Sequence, residues 1–192
     1  MQVLVVGDSH VANIGRLGSG RFMHVNHQVN IQYFGIKGAG FATFTPEKLS
    51  KLSQWYKPEI IISIIGGNTV SSTEDTKEIY RVGETYYKDL KEAFPGATIV
   101  ATQIEARSYL PNNRFGAPGY EIFQSRRVAV NNFIKALRYK DHVLMIGGPN
   151  RLDNLSLYES DGVHLTPVGY AKFYSLIKKL VKYVIDRREH NA

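Results

Sequence analysis

VLVVGDSH, residues 3–10, is an apolar run of four residues that ends in a glycine, a carboxylate, a hydroxyl and an imidazole. A short continuous run of this kind marks a strand buried on both faces, and in an open parallel sheet the carboxyl ends of the strands hold the ligand. The arrangement returns twice: Gly35, Gly38 and Gly40 follow the apolar stretch around Ile31 to Phe34, and Gly66, Gly67 and Asn68 follow Ile60 to Ile65. Three strand ends therefore offer a hydroxyl, glycine amides and a carboxamide. Near the C-terminus, Asp161, Gly162, Val163 and His164 place a carboxylate and an imidazole three positions apart, just ahead of a long amphipathic segment. These are the parts of an acyl-transfer site: a nucleophile, a base, a group to orient the base, and donors for an oxyanion.

Outward from these motifs, apolar runs of four to seven residues alternate with segments of helical period, the βαβ pattern of a parallel sheet covered on both faces. Five strands are predicted, at Val3 to Val6, Val29 to Phe34, Ile60 to Ile65, Ala97 to Thr102 and His142 to Ile146. Thr45 and Pro46 have the character of a cap and a first helical residue, with Leu49, Leu52 and Trp55 on one face. A second helix is predicted to start near Ser72 and to carry Ile79, Val82, Tyr86, Leu90 and Phe94 before Pro95 and Gly96 stop it. A further one places Phe123, Val130, Ile134 and Leu137 together, and the last begins at Thr166 and Pro167 with Phe173, Ile177, Leu180 and Val184 inward. Residues Glu105 to Gln124, with Tyr109, Phe115, Tyr120 and Phe123, form the longest stretch expected to be irregular.

A chain of 192 residues, 43% of them hydrophobic, is the size of one domain, 1–192. It has no cysteine, which excludes disulfides, thiolate metal sites and a cysteine nucleophile. No window reaches the roughly 20 apolar residues of a membrane span, and no signal-peptide pattern stands at the start. A soluble protein is expected, cytoplasmic by default. The 24 Lys and Arg outnumber the 17 Asp and Glu, a net charge of +7. That field attracts anionic lipid or nucleic acid weakly, yet the lysines of the last helix are interrupted by Asp186 and Glu189, as on an ordinary solvated face.

Of the six histidines, His190 is in a terminal segment, His142 opens a strand, and His10 is expected to point away along the first helix. His24 and His27 could be drawn as a metal pair, but no carboxylate stands near them in sequence. No metal and no cofactor is called for: GxGxxG does not follow the first strand, and neither GxxxxGK[ST] nor GxSxG occurs. Asp161 is either the partner of His164 or a turn residue beside Gly162, with Asp153 as the alternative acid; Asp8 is expected to brace the turn after the first strand.

The ordered set GDSH, GIKG, GGN and DGVH, at residues 7–10, 35–38, 66–68 and 161–164, resembles the SGNH (GDSL-type) hydrolases, a family of esterases, lipases and deacetylases. The resemblance implies a three-layer α/β/α sandwich with a flavodoxin-like, five-stranded parallel sheet of order 2-1-3-4-5. It implies Ser9 as nucleophile, His164 as base and Asp161 as its orienter, with the Ser9 and Gly38 amides and the Asn68 side chain as oxyanion donors. Gly40 competes with Gly38 for that place. Where the family usually has aspartate after the asparagine, this chain has Thr69. The implied substrate is a small ester or acetylated compound. The histidine after GDS and the DGVHLTPVGY ending also resemble esterase domains in first-reading-frame proteins of some LINE-type retrotransposons, with phage and bacterial deacetylases comparable. The former would make the chain one domain of a larger protein in membrane or nucleoprotein company. From another class stands a binding module: the same fold docking to nucleic acid or anionic membrane through its basic face, its serine pocket blocked.

Overall fold

Strand β1 (Gln2–Gly7) is buried from Val3 onward, and its side chains divide between two cores. Leu4 and Val6 pack with Phe41, Ile61, Tyr86 and Ile99, whereas Val3 and Val5 pack with Ile14, Ile62, Val100 and Ile177. That division is the two-residue period of a strand with a hydrophobic layer on each side. The computed structural model describes residues 1–17, 20–73, 75–106, 116–144 and 155–190.

Around β1 the chain runs α1 (Ser9–Gly15), β2 (Gly20–His24), β3 (His27–Gly35), a 3₁₀ turn at Phe41–Thr43, α2 (Pro46–Trp55) and β4 (Ile60–Ile64). Then follow α3 (Gly67–Ser72), α4 (Thr76–Ala93), β5 (Thr98–Thr102), α5 (Gly116–Ala136), β6 (His142–Leu144), a 3₁₀ turn at Leu155–Leu157 and α6 (Pro167–His190). The sheet order is β2-β3-β1-β4-β5-β6, parallel throughout except for the β2–β3 pair. Five parallel strands thus stand in the expected order 2-1-3-4-5, and the sheet has a sixth, antiparallel strand at its edge. Helices α2, α4 and α5 cover one face; α1 and α6 cover the other.

The sixth strand corrects the expected five. Along β2 only Gly20 is buried and Met23 is two-thirds exposed, so this edge strand carries no apolar run by which to recognise it. Two helical boundaries also differ. The helix expected from near Ser72 starts at Thr76, where Asp75 caps it by accepting from Lys77 N at 2.9 Å, and Ser72 instead ends α3. Helix α5 begins at Gly116, inside the stretch expected to be irregular. Tyr109, Phe115, Asp153, Met145 and Ile146 lie outside the described residues. Among those described, no helix is long and apolar enough to cross a membrane.

The β2–β3 hairpin is tied to α6. His24 Nε2 lies 2.7 Å from Asp186 Oδ1, and His27 Nε2 lies 2.8 Å from Glu189 Oε1. Lys182 sits over the Phe22 ring and Lys178 over Tyr174. The two histidines thus pair with carboxylates of the last helix, and no group of three metal-ligating side chains is found among the described residues.

Candidate active site

Gly35, Gly7 and Ile64 sit level with one another at the ends of three adjacent parallel strands. The loops carrying residues 36–40, 8–10 and 65–68 therefore leave the sheet side by side, at the switch point where such folds place ligands. Ser9 is the first residue of α1, and Asp8 is its cap: the carboxylate Oδ1 accepts from His10 N at 3.0 Å. Asp8 N donates to Ile64 O at 3.3 Å, fastening the turn to β4. Asp8 is thus the brace expected of it. Ser9 is 8% exposed and opens onto a cleft walled by Ile64, Ile104, Phe123, Leu165 and Phe173, with Asn68 and Gln103 as polar members. The Ser9 hydroxyl makes no hydrogen bond among the described residues.

The second and third loops are clamped together. Asn68 Nδ2 donates to Ala39 O at 3.0 Å, which occupies one of its two N–H groups. Thr69 Oγ1 accepts from Phe41 N at 2.9 Å. The threonine that departs from the family pattern therefore supports the loop directly, and its neighbour must be small: a Cβ on Gly40 would collide with Thr69 Oγ1. Gly40 N is also committed, donating to Thr43 Oγ1 at 3.0 Å, whereas Gly38 N makes no hydrogen bond among the described residues. Gly38 has φ 74°, a conformation that side chains with a Cβ rarely adopt, and open space beside it. We expect Thr69→Val, which keeps the shape and leaves Phe41 N without its buried acceptor, to destabilise the fold by about 1–3 kcal/mol. A urea unfolding curve measures this; an unchanged midpoint would show that the clamp is idle.

Asp161 both shapes its turn and holds the base. Its Oδ1 accepts from Val163 N and His164 N, each at 2.9 Å, and its Oδ2 lies 2.6 Å from His164 Nδ1. Gly162 takes φ 67°, letting the loop close in this way. A bridge between Tyr158 and Leu165 pins the loop's ends. Burial pushes the Asp161 carboxyl up, but the hydrogen bond from the His164 ring, the two backbone N–H groups and the imidazole's charge outweigh it and hold it below its ordinary value. The two alternatives open in the sequence, partner and turn residue, are both true of Asp161.

His10 does not point away along α1. Its Nε2 lies 3.0 Å from Val163 O and its Nδ1 3.2 Å from Asp8 Oδ1, and its ring stacks on that of His164 with centroids 6.1 Å apart. It bridges the serine turn and the histidine loop, a contact no local pattern could reveal. Asn131, also unremarked in the sequence, grips Ile104 by both backbone groups, accepting from its N at 2.7 Å and donating to its O at 3.0 Å. This fixes the wall of the cleft that carries Gln103, whose side-chain amide makes no hydrogen bond among the described residues.

Solved structures of the same fold include a GDSL-like lipase from Bacteroides thetaiotaomicron (18% identity, TM-score 0.65, covering 95% of this chain and 88% of that one). A carbohydrate esterase of family 3 from Talaromyces cellulolyticus is similar over 97% of this chain and 99% of its own, at 14% identity and TM-score 0.64. An acetyl esterase variant crystallised with acetate matches equally, at 14% identity, TM-score 0.64 and coverage of 97% and 99%. No curated protein matches the sequence. The profile of one family runs through the strand ends and loops described above, from residue 5 to residue 172, and the chain belongs to that family, the GDSL-like lipases and acylhydrolases.

Proposed function

We propose that the protein is a serine esterase that hydrolyses carboxylic esters with short acyl groups, acetyl foremost, through an acyl-enzyme. The observation that carries this is the 2.6 Å contact of Asp161 Oδ2 with His164 Nδ1, on a loop whose Val163 and Leu165 line the cleft of Ser9. With Nδ1 engaged, Nε2 is the nitrogen left to act as base. Ser9 Oγ attacks the ester carbonyl carbon as Nε2 takes its proton. The carbonyl oxygen becomes an oxyanion facing Ser9 N, Gly38 N and the second N–H of Asn68 Nδ2. The imidazolium then protonates the leaving alcohol, and water repeats the sequence on the acyl-enzyme. No hydrogen bond joins Ser9 to His164 among the described residues; in this mechanism it forms as substrate enters, as catalytic hydrogen bonds commonly do.

The short acyl group is supported by the apolar wall of Ile64, Ile104, Phe123 and Phe173, and by the fold shared with an acetyl esterase. A series of chromogenic esters of rising acyl length tests it. Acetyl should be fastest, and a serine-directed inhibitor should abolish turnover. Failure to hydrolyse any ester would remove the esterase reading. The docking-module alternative would show a continuous positive face and a blocked serine pocket; among the described residues Ser9 lines a cleft, which favours the esterase.

Asp161→Asn is expected to lower turnover strongly while a fluorophosphonate still labels Ser9 slowly, because the orienting partner is lost and the nucleophile kept. Asp153→Asn should have little effect; the reverse ranking would make Asp153 the acid.

The pH dependence follows from the base. An imidazole must be neutral to take the serine proton, and histidine side chains in peptides titrate near about 6.5, so kcat/KM should rise with pH through that region. Asp161, held below its ordinary value, is ionised throughout it and adds nothing to the limb. Its depressed titration makes a stabilising contribution present above the unfolded carboxylate range and lost as pH falls through the folded value. A profile flat from about pH 5 to 8 would argue against an imidazole base.

A further inference from the structure

We infer that His10 is held as an imidazolium and acts as a positioning residue for the base, tying the Asp161–His164 loop to the nucleophile turn. This rests on the esterase roles proposed above for Ser9 and His164. The inference begins from donors and acceptors. Val163 O can only accept, so His10 Nε2, 3.0 Å away, carries a proton. Asp8 Oδ1 is the acceptor that caps α1, so His10 Nδ1, 3.2 Å away, carries one too. A ring with a proton on both nitrogens is a cation.

Among the described residues, the groups beside it include Asp8 on the β1–α1 corner, His164 with Asp161 behind it on the loop, and Tyr170 and Phe173 on α6, with Glu105 in the wall of the same cleft. Asp8 favours the charge. The His164 ring stacks on that of His10 with its centroid 6.1 Å away, so the contact that holds the loop also fixes where the base stands.

Two measurements on the full chain test this. In ¹⁵N–¹H spectra of the imidazoles at about pH 7, where an unperturbed histidine is mostly neutral, His10 should appear with both nitrogens protonated. Its signals are assigned by their contacts to Tyr170 and Phe173 and by their absence in His10→Phe. His10→Phe should lower kcat by up to about 10²-fold, the scale on which a misplaced catalytic group is felt, with KM little changed. Gln restores a donor to Val163 O but not the charge, so it should recover much of that kcat. A neutral His10 in the wild-type spectrum overturns the proposal, and that spectrum decides even if neither variant folds. A doubly protonated His10 with unchanged kcat in folded His10→Phe overturns its positioning role. A doubly protonated His10 in a chain that hydrolyses no ester would instead remove the esterase reading and leave the charge assignment standing.

Discussion

Ser9→Ala is expected to abolish ester hydrolysis, with turnover falling on the order of 10⁶-fold, the scale on which a serine nucleophile's removal is felt. In the proposed mechanism the hydroxyl carries the covalent step; the chain has no cysteine to replace it, and the Asp8 carboxylate is spent capping α1. The fold should be untouched. Ser9 Oγ makes no hydrogen bond among the described residues, its N–H and carbonyl remain in alanine, and alanine is a better helix former at the first position of α1. The melting temperature should stay within a few degrees of wild type. Initial rates on an acetyl ester, with circular dichroism and intact-mass analysis after a fluorophosphonate, check both halves. Wild-type turnover in folded Ser9→Ala, or continued labelling at another residue, would take the nucleophile role from Ser9.

What the sequence makes legible is what local chemistry encodes. The stretches Val3 to Val6, Ile31 to Phe34 and Ile60 to Ile64 each mark a strand, and the family resemblance sets them side by side, which makes the rim where Gly35, Gly7 and Ile64 align. Asp161 and His164 are three residues apart, and a turn with a glycine between them brings carboxylate and ring together without help from the rest of the chain. Illegible were contacts made at long range. His10 meets Val163 across 153 positions, and Thr69 meets Phe41 across 28. His24 and His27 find their carboxylates on α6, 162 positions on, which is why they read as a pair without partners. Strand β2 was hidden for a different reason. An edge strand buries little, so selection for an apolar run does not act on it.

The departure at Thr69 shows how a motif can change and keep its task. The third loop must hold Asn68 still against the second loop, and two hydrogen bonds do this, Asn68 to Ala39 O and Phe41 N to Thr69 Oγ1. A hydroxyl accepts the Phe41 N–H without placing a carboxylate next to a forming oxyanion. The arrangement leaves Asn68 rigid with one N–H still to give.

Asn68→Ala should therefore lower turnover by about 10²- to 10³-fold, roughly 2.7 to 4 kcal/mol, the range typical of one lost oxyanion donor. The loss belongs in kcat more than in KM, because charge on the carbonyl oxygen develops only as Ser9 attacks, and a donor aimed at that charge contributes little to the bound ester. Asn68 also donates to Ala39 O, so some stability is at stake, about 1 kcal/mol for a partly buried neutral hydrogen bond. The two effects separate by experiment. Asn68→Asp keeps the size of the side chain and replaces the donating amide with an accepting carboxylate, so it should be at least as inactive as alanine. Thr69→Val loosens the same loop while leaving the Asn68 amide in place, and should reduce kcat far less than Asn68→Ala. Steady-state kinetics on a soluble acetyl ester, alongside urea unfolding of all three variants, measures the comparison. Near-normal turnover in folded Asn68→Ala would reduce Asn68 to a turn residue and leave the oxyanion to the amides of Ser9 and Gly38 alone.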